Sequence, residues 1–178
     1  MKRILFINSH LGSGANELMS ALSRNRRIQK FKGLAPFNHP DDLAKLTEKR
    51  HKCDNVASIY MHGLWNNSEW VRKPCREAGQ FIHLIKEPRA SLSNVEGNPQ
   101  DILNGYCYRL RGIYEMSLRT SDALVFDMNK LDLDLIQEKL NLNEPIEFMA
   151  TESYDTFPED LCKIAEEAYE RYFKLLGL

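Results

Sequence analysis

The sequence predicts an α/β fold in which a mainly parallel central sheet lies between two layers of helices, a three-layer sandwich. Short β-type runs alternate with longer helical patterns, in the order β-α-(α)-β-α-β-α-β-α-α. The first run, residues 4–7, is apolar at every position, which is typical of a strand buried on both faces of a parallel sheet. The alternation of strands and helices indicates a parallel sheet with helices on both faces, and right-handed crossovers then leave few topologies. Ligands of such sheets bind at the carboxyl ends of the strands.

The individual elements follow from the runs and spacings of apolar residues. We predict strands over residues 4–7, 56–61, 81–85 and 123–126. A helix follows the first strand, because Leu18, Ala21 and Leu22 fall on one helical face. A second helix begins at Pro40, since proline is favoured in the first turn of a helix, and a weaker helical pattern covers residues 68–78.

Three longer helices are predicted in the second half of the chain. Residues 101–118 carry apolar side chains at helical spacing, and so do residues 133–140. The last helix opens at Pro158 and ends at Gly177, because glycine adopts the left-handed backbone that often closes a helix. The apolar stripe of this helix indicates that one of its faces packs against the rest of the domain.

Length and composition restrict the class of protein. The 178 residues, of which 43% are hydrophobic, predict a single domain over residues 1–178 with its own core. No apolar run approaches the roughly 20 residues of a transmembrane helix, and the first residues do not form a secretory signal. Four cysteines without a C-x-x-C pair suit neither a zinc ribbon nor a disulfide-bonded secreted domain. We therefore expect a cytoplasmic protein with no transmembrane segment and no metal site.

The charges are unevenly distributed along the chain, although the net charge is only −1. Residues 1–121 carry 19 basic and 11 acidic side chains, whereas residues 122–178 carry 5 basic and 14 acidic ones. The basic first part favours an anionic partner. A small, highly charged nucleotide fits this pattern better than a nucleic acid does.

Three segments at the predicted ligand edge carry polar or charged side chains. The turn of residues 10–17 contains two glycines and leads from the first strand into a helix, a geometry that favours phosphate or sulfate. His62 follows the second strand, and its imidazole suits general-base chemistry near neutral pH. Residues 86–94 follow the third strand and bring together two cations and two hydroxyl groups, which suits a phosphate site.

In this order the segments resemble the sulfotransferases that use 3′-phosphoadenosine-5′-phosphosulfate (PAPS) as the sulfuryl donor. Members of that family have a P-loop NTPase-like α/β fold, with a 5′-phosphosulfate loop after the first strand and a 3′-phosphate motif after a later strand. The matching stretches here are Gly12-Ser13-Gly14-Ala15-Asn16-Glu17-Leu18 and Lys86-Glu87-Pro88-Arg89-Ala90-Ser91-Leu92-Ser93-Asn94.

The resemblance implies a role for each matched residue. His62 would be the catalytic base that deprotonates an acceptor hydroxyl or amine. PAPS would be the co-substrate, with its 5′-phosphosulfate on Gly12, Ser13, Gly14, Ala15 and Asn16 and its 3′-phosphate on Lys86, Arg89 and Ser93. The acceptor would be a small molecule or a glycan, for which Trp65 and Trp70 could line a pocket.

The sequence also departs from the family pattern, and the departures leave two alternatives open. Gly12 stands where the family has lysine or arginine, Ala15 and Asn16 replace hydroxyl side chains, Lys86 replaces an arginine, and Asn94 takes the place of the final serine. Loss of the cation at Gly12 removes charge stabilisation from the transition state, so a catalytically impaired nucleotide-binding protein of the same fold is one alternative. The other is a flavodoxin-like FMN oxidoreductase, because the segment up to Asn16 also resembles an FMN-phosphate loop.

Overall fold

The structure, a computed structural model, describes residues 4–30, 54–59, 79–93, 95–120, 122–149 and 157–178. The strands in these residues are β1 (Ile4–Asn8), β2 (Ile28–Lys30), β3 (Asp54–Ile59), β4 (Gly79–Ile85) and β5 (Leu124–Asp127). The helices are α1 (Ala15–Leu22), α2 (Pro88–Leu92), α3 (Pro99–Ser117), α4 (Leu133–Leu140) and α5 (Glu159–Leu176), with a short 3-10 helix at Met128–Lys130.

All five strands are parallel and form one sheet in the spatial order β2-β3-β1-β4-β5. β1 is central and pairs with β3 on one side and with β4 on the other. The chain leaves β1 towards β2 and leaves β4 towards β5, in opposite directions along the sheet. The carboxyl ends of β1 and β4 therefore form the crevice at which open α/β sheets bind ligands.

Helices cover both faces of the sheet, as the sequence predicts. On one face, α1 and α4 pack on alternate residues of the central strands, including Leu5 and Ile7 of β1 and Leu84 of β4. On the other face, α3 and α5 pack together over Ile85 and Leu92. The alternation follows from the pleat of a strand, which sends successive side chains to opposite faces. The two apolar layers hold the carboxyl end of β4 firmly in place.

Caps fix the helix ends that adjoin the ligand edge. Glu87 is the N-cap of α2, and its carboxylate accepts hydrogen bonds from the backbone N–H groups of Arg89 and Ala90 at 2.8 Å each. At the other end of the chain, α5 begins after Pro158 and stops at Gly177, which has a left-handed backbone. Both limits of α5 are those that the sequence predicts.

Most predicted elements are confirmed, and three described elements are not predicted: β2, α2 and the 3-10 helix at Met128–Lys130. The strand after the first helix, β2, is only three residues long, and α2 forms where the sequence predicted a turn fixed by proline. Predictions for a helix from Pro40, for the end of the second strand and for a helix over residues 68–78 lie outside the described residues.

The order of the described strands also differs from the flavodoxin order 2-1-3-4-5, so the flavodoxin-like alternative is wrong for the fold.

None of the helices in the described part of the chain is long and apolar enough to cross a membrane. Of the four cysteines, Cys107 and Cys162 lie in the described residues, and both are free thiols.

Candidate functional site

The turn after β1 presents an uncapped helix N-terminus. Gly12 and Gly14 both have positive φ angles, of 73° and 85°, which glycine adopts without steric cost. The first helical hydrogen bond of α1 runs from the N–H of Leu18 to the carbonyl of Gly14 at 3.1 Å, and no side chain caps the helix. The backbone N–H groups of residues 15–17 precede that bond, so they are available to an anion.

A cavity of about 180 Å³ lies against this turn at the carboxyl ends of β1 and β4. The turn supplies one wall, the segment after β4 a second, and Met128 and Phe148 an apolar third. Its lining residues are His10, Leu11, Gly12, Ser13, Gly14, Ala15, Asn16, Glu17, Lys86, Ala90, Ser91, Met128 and Phe148. A space of this size suits a phosphate or sulfate group in contact with the uncapped N–H groups.

Lys86 brings a positive charge to the cavity. The residue is only 6% exposed, although lysine is one of the residues most rarely buried. Within the described residues, no carboxylate lies at ion-pair distance from its ammonium group. A largely buried cation without such a partner is a favourable place for an anionic ligand.

His10 and Tyr106 hold the backbone of Lys86 from both sides. The N–H of Lys86 donates to Nε2 of His10 at 2.9 Å, and the hydroxyl of Tyr106 donates to the carbonyl of Lys86 at 2.8 Å. The rings of His10 and Tyr106 also pack edge to face, with centroids 4.8 Å apart. The turn after β1 and the segment after β4 are therefore joined by a buried set of hydrogen bonds.

The imidazole of His10 is neutral. Its Nδ1 lies 2.9 Å from the carbonyl oxygen of Leu11, which can only accept, so Nδ1 carries the proton and Nε2 is the acceptor. Burial lowers the pKa of His10 to about 4, and the nearby charges of Arg109 and Lys86 act in the same direction. His10 consequently serves as a fixed hydrogen-bonding group and not as a base near pH 7.

A second buried histidine supports the sheet below the site. Nδ1 of His83 accepts from the side-chain amide of Asn8 at 3.1 Å, and Nε2 lies 2.9 Å from the hydroxyl oxygen of Thr120. That hydroxyl donates to the carbonyl of Met116 in α3 at 3.0 Å. Burial lowers the pKa of His83 to about 3, so this ring is neutral as well. The network ties β1 and β4 to the end of α3.

Arg89 is not among the residues that line the cavity, and it contacts α5. Its guanidinium donates to both carboxylate oxygens of Glu159, at 3.1 and 2.9 Å, and to Glu166 at 2.7 Å. The hydrogen bonds to Glu159 and then Glu166 raise the pKa of Arg89 above its ordinary value. Two carboxylates of the acidic last helix thus hold the arginine of the predicted 3′-phosphate motif.

Six of the predicted site residues line the cavity, and two other described ones do not. Those that line it are Gly12, Ser13, Gly14, Ala15, Asn16 and Lys86. Arg89 and Ser93 are not among the lining residues, and the lining serine of that segment is Ser91. His62, Trp65, Trp70 and Asn94 lie outside the described residues. The assignments of roles to these side chains stay predictions.

Sequence reasoning missed His10, although the signal for it was available. His10 follows a strand at the ligand edge, which is the same reason that singled out His62. The aromatic partner Tyr106 carried only the signal of a core residue, because it falls in the apolar stripe of a helix. Met128 and Phe148 carried no signal, since their place at the cavity depends on how later segments fold back.

The fold of this chain is similar to the folds of solved structures. Mouse sulfotransferase SULT7A1, solved in complex with PAP, superposes with a TM-score of 0.53 at 14% identity, over 98% of this chain and 67% of that one. The chain has the P-loop NTPase-like α/β fold of the sulfotransferases. A gluconokinase from Sinorhizobium meliloti 1021 is more distant, with a TM-score of 0.34 at 12% identity, over 96% of this chain and 97% of that one. The sequence matches no protein-family model and no curated protein.

Proposed function

We propose that the cavity binds the phosphosulfate end of PAPS and that the protein transfers the sulfuryl group to an acceptor hydroxyl or amine. One observation carries this proposal. The uncapped N-terminus of α1 and the buried Lys86 face one cavity at the switch point of a sulfotransferase-type sheet. Both groups favour an anion, and they come from two segments that are 69 to 71 residues apart in the sequence.

The reaction needs little covalent chemistry from the protein. The bond between sulfur and the bridging 5′-phosphate oxygen breaks, and a new bond forms between sulfur and the acceptor oxygen or nitrogen. The acceptor proton passes to a base, for which we propose His62 on the family resemblance, and 3′-phosphoadenosine 5′-phosphate (PAP) leaves with the bond electrons. Positioning and charge stabilisation carry such transfers, as they carry phosphoryl transfer.

The chain's own groups would stabilise the charge that develops on the leaving phosphate. The N–H groups of residues 15–17 supply the positive end of a helix. Lys86, which the family resemblance assigns to the 3′-phosphate, lines the same cavity, so we assign its ammonium to this charge instead. The 3′-phosphate would contact the segment after β4, where Ser91 lines the cavity. The acceptor class, a small molecule or a glycan, is part of this proposal.

A second function, nucleotide binding without transfer, is favoured by two features of the same cavity. Gly12 provides no cation, and a side chain at this position would overlap the carbonyl oxygen of Ser91. Glu17 also lines the cavity, and its negative charge opposes an anion at the helix N-terminus. Both features weaken the stabilisation of a transition state more than they weaken the binding of the adenosine part.

Binding and transfer can be tested separately. PAP at about 100 times its dissociation constant should add about 2.7 kcal/mol to the free energy of unfolding, measured as a thermal shift and by calorimetry. AMP, which lacks the 3′-phosphate, is the control ligand, and Lys86→Met should weaken PAP binding. Absence of PAP binding would contradict both functions.

Transfer is then measured with sulfur-labelled PAPS and a panel of phenols, amines and glycans. Labelled product with the wild type that is lost in His62→Ala, while PAP binding persists, supports the transferase. Undiminished transfer by His62→Ala removes that residue from the mechanism. PAP binding without any labelled product favours the binding protein.

A further inference from the structure

We propose that His10 and Tyr106 are positioning residues, which together fix the backbone of Lys86 and so set the place of its ammonium group in the anion site. This inference rests on the proposed function, because it concerns how the same cavity holds its ligand. Neither residue is expected to touch the reacting atoms.

The two residues satisfy both polar groups of the Lys86 peptide units. The imidazole of His10 accepts from the Lys86 N–H at 2.9 Å, and the phenol of Tyr106 donates to the Lys86 carbonyl at 2.8 Å. Lys86 follows the last residue of β4 directly, where the ladder to the neighbouring strands has ended. Without these side chains the backbone of Lys86 would lack partners in a buried place, and such a backbone does not keep one conformation.

We call His10, Tyr106 and their hydrogen bonds to the Lys86 backbone the clamp. The positions of the two side chains make this clamp rigid. His10 is 0% exposed and Tyr106 is 3% exposed, and their rings pack edge to face at 4.8 Å. Nδ1–H of His10 is anchored on the carbonyl of Leu11, in the turn that leads to α1. The clamp therefore links the Lys86 backbone to the anion-binding turn and helps to set the distance between them.

Burial of the clamp also explains the need for a histidine at this place. The ring must donate on one side and accept on the other, and a neutral imidazole does both. A protonated ring would donate on both sides and repel Lys86 and Arg109, the charged groups that act on it. The phenol of Tyr106, which packs on the imidazole of His10, keeps its proton because burial raises its pKa.

A double-mutant cycle on PAP affinity tests the inference. Tyr106→Phe removes only the hydroxyl, and we expect it to weaken PAP binding by roughly 10-fold, because binding must then also order the Lys86 backbone that the hydroxyl had fixed. In a Lys86→Met background the same change should have less than a 2-fold effect, because the group that Tyr106 positions is gone. Tyr114→Phe, on the same helix α3, is the matched control and should leave the affinity unchanged in both backgrounds.

His10 is tested by the same cycle with two replacements. His10→Ala should weaken binding as Tyr106→Phe does, and His10→Gln should restore most of the affinity because the glutamine oxygen can accept from the Lys86 N–H. Equal, additive losses in the presence and absence of the Lys86 side chain would overturn the inference and leave the proposed function intact. If His10→Ala does not fold, the Tyr106 cycle and His10→Gln decide the question.

A second probe distinguishes failure of the proposed function from failure of the clamp. If the wild type does not bind PAP, the proposed nucleotide is wrong, and the cycle is repeated with inorganic pyrophosphate as the probe. Coupling between Tyr106 and Lys86 on pyrophosphate affinity would still support the clamp. Absence of binding by both probes, or additive losses on pyrophosphate, would overturn it.

Discussion

At the scale of single residues, Gly12 explains why the family's cation is missing. Its backbone has a φ of 73°, and a Cβ atom there would overlap the carbonyl oxygen of Ser91. The turn after β1 and helix α2 therefore touch backbone to backbone at this point. The sequence showed the absence of lysine or arginine, but only the structure shows that the position has no room for a side chain.

We predict that Gly12→Lys, which restores the family residue, destabilises the protein and does not strengthen PAP binding. The left-handed backbone and the overlap with Ser91 together should cost about 3 kcal/mol or more in the free energy of unfolding. Urea unfolding measures this cost. Gly105 in α3 is the control, because a Cβ there meets nothing within 4 Å, and Gly105→Ala should stabilise by about 0.5–1 kcal/mol. A Gly12→Lys protein as stable as the wild type would contradict the prediction.

At the scale of elements, the sequence predicts the strands and helices that have a local pattern of apolar residues. It does not predict the elements that form only through a particular contact. The apolar run of β1 and the stripe of α3 follow from local patterns, and both elements are confirmed. β2 was missed because three residues after Arg26 and Arg27 show no period, and its pairing with β3 alone makes it a strand. α2 was missed because it depends on the Glu87 cap.

For the candidate site, the sequence predicts where the ligand binds but not all of the residues that line the cavity. That ligands bind after β1 and β4 could be predicted, because parallel strands end at one edge. Which serine lines the cavity could not, since the short helix α2 brings Ser91 and not Ser93 to the lining. The direction of Arg89 could not be predicted either, because its partners lie 70 and 77 residues away.

The contact between α2 and α5 leads to a prediction about ligand affinity. If Arg89 binds the 3′-phosphate, as the family resemblance implies, Glu159 and Glu166 compete with the ligand for its guanidinium. Glu159→Gln with Glu166→Gln should then strengthen PAP binding, by less than about 10-fold because exposed ion pairs are weak. The effect is read as a change in Kd by calorimetry.

A second exposed ion pair provides the control for that measurement. Arg111 and Glu115 pair at 2.8 Å on α3, one helical turn apart. Glu115→Gln makes the same chemical change outside the cavity lining and should leave the PAP affinity unaltered. An unchanged Kd in the double variant, together with full affinity in Arg89→Ala, would show that Arg89 takes no part in the site.

At the scale of the whole molecule, the uneven charge distribution has a structural counterpart. Basic residues of the first part meet acidic residues of the last part, as in Arg89 with Glu159 and Arg24 with Glu147. The acidic C-terminal part thus neutralises cations on the surface, whereas Lys86 at the ligand edge has no carboxylate at ion-pair distance among the described residues. Net charge near zero therefore coexists with a local site for an anion.

The two buried histidines make the stability of the whole molecule depend on pH in a defined direction. Burial lowers the pKa of His10 to about 4 and that of His83 to about 3, whereas an unfolded histidine titrates near 6.5. Below about pH 6.5 these two histidines bind protons in the unfolded chain but stay neutral in the folded protein. The free energy of unfolding therefore falls as the pH falls. The loss continues until the folded pKa values are reached.

We predict a slope of about 1.4 kcal/mol per pH unit for each of these histidines between roughly pH 6 and pH 4.5. Urea unfolding at pH 7.5, 6.0 and 5.0 measures it, with the same linear extrapolation at each pH. His10→Gln and His83→Gln each remove one buried imidazole, so each should reduce the slope by about half while lowering stability at pH 7.5. A wild-type free energy of unfolding that is constant over this range would mean that the two rings charge freely in the folded protein, and the clamp of His10 on Lys86 would then be wrong as well.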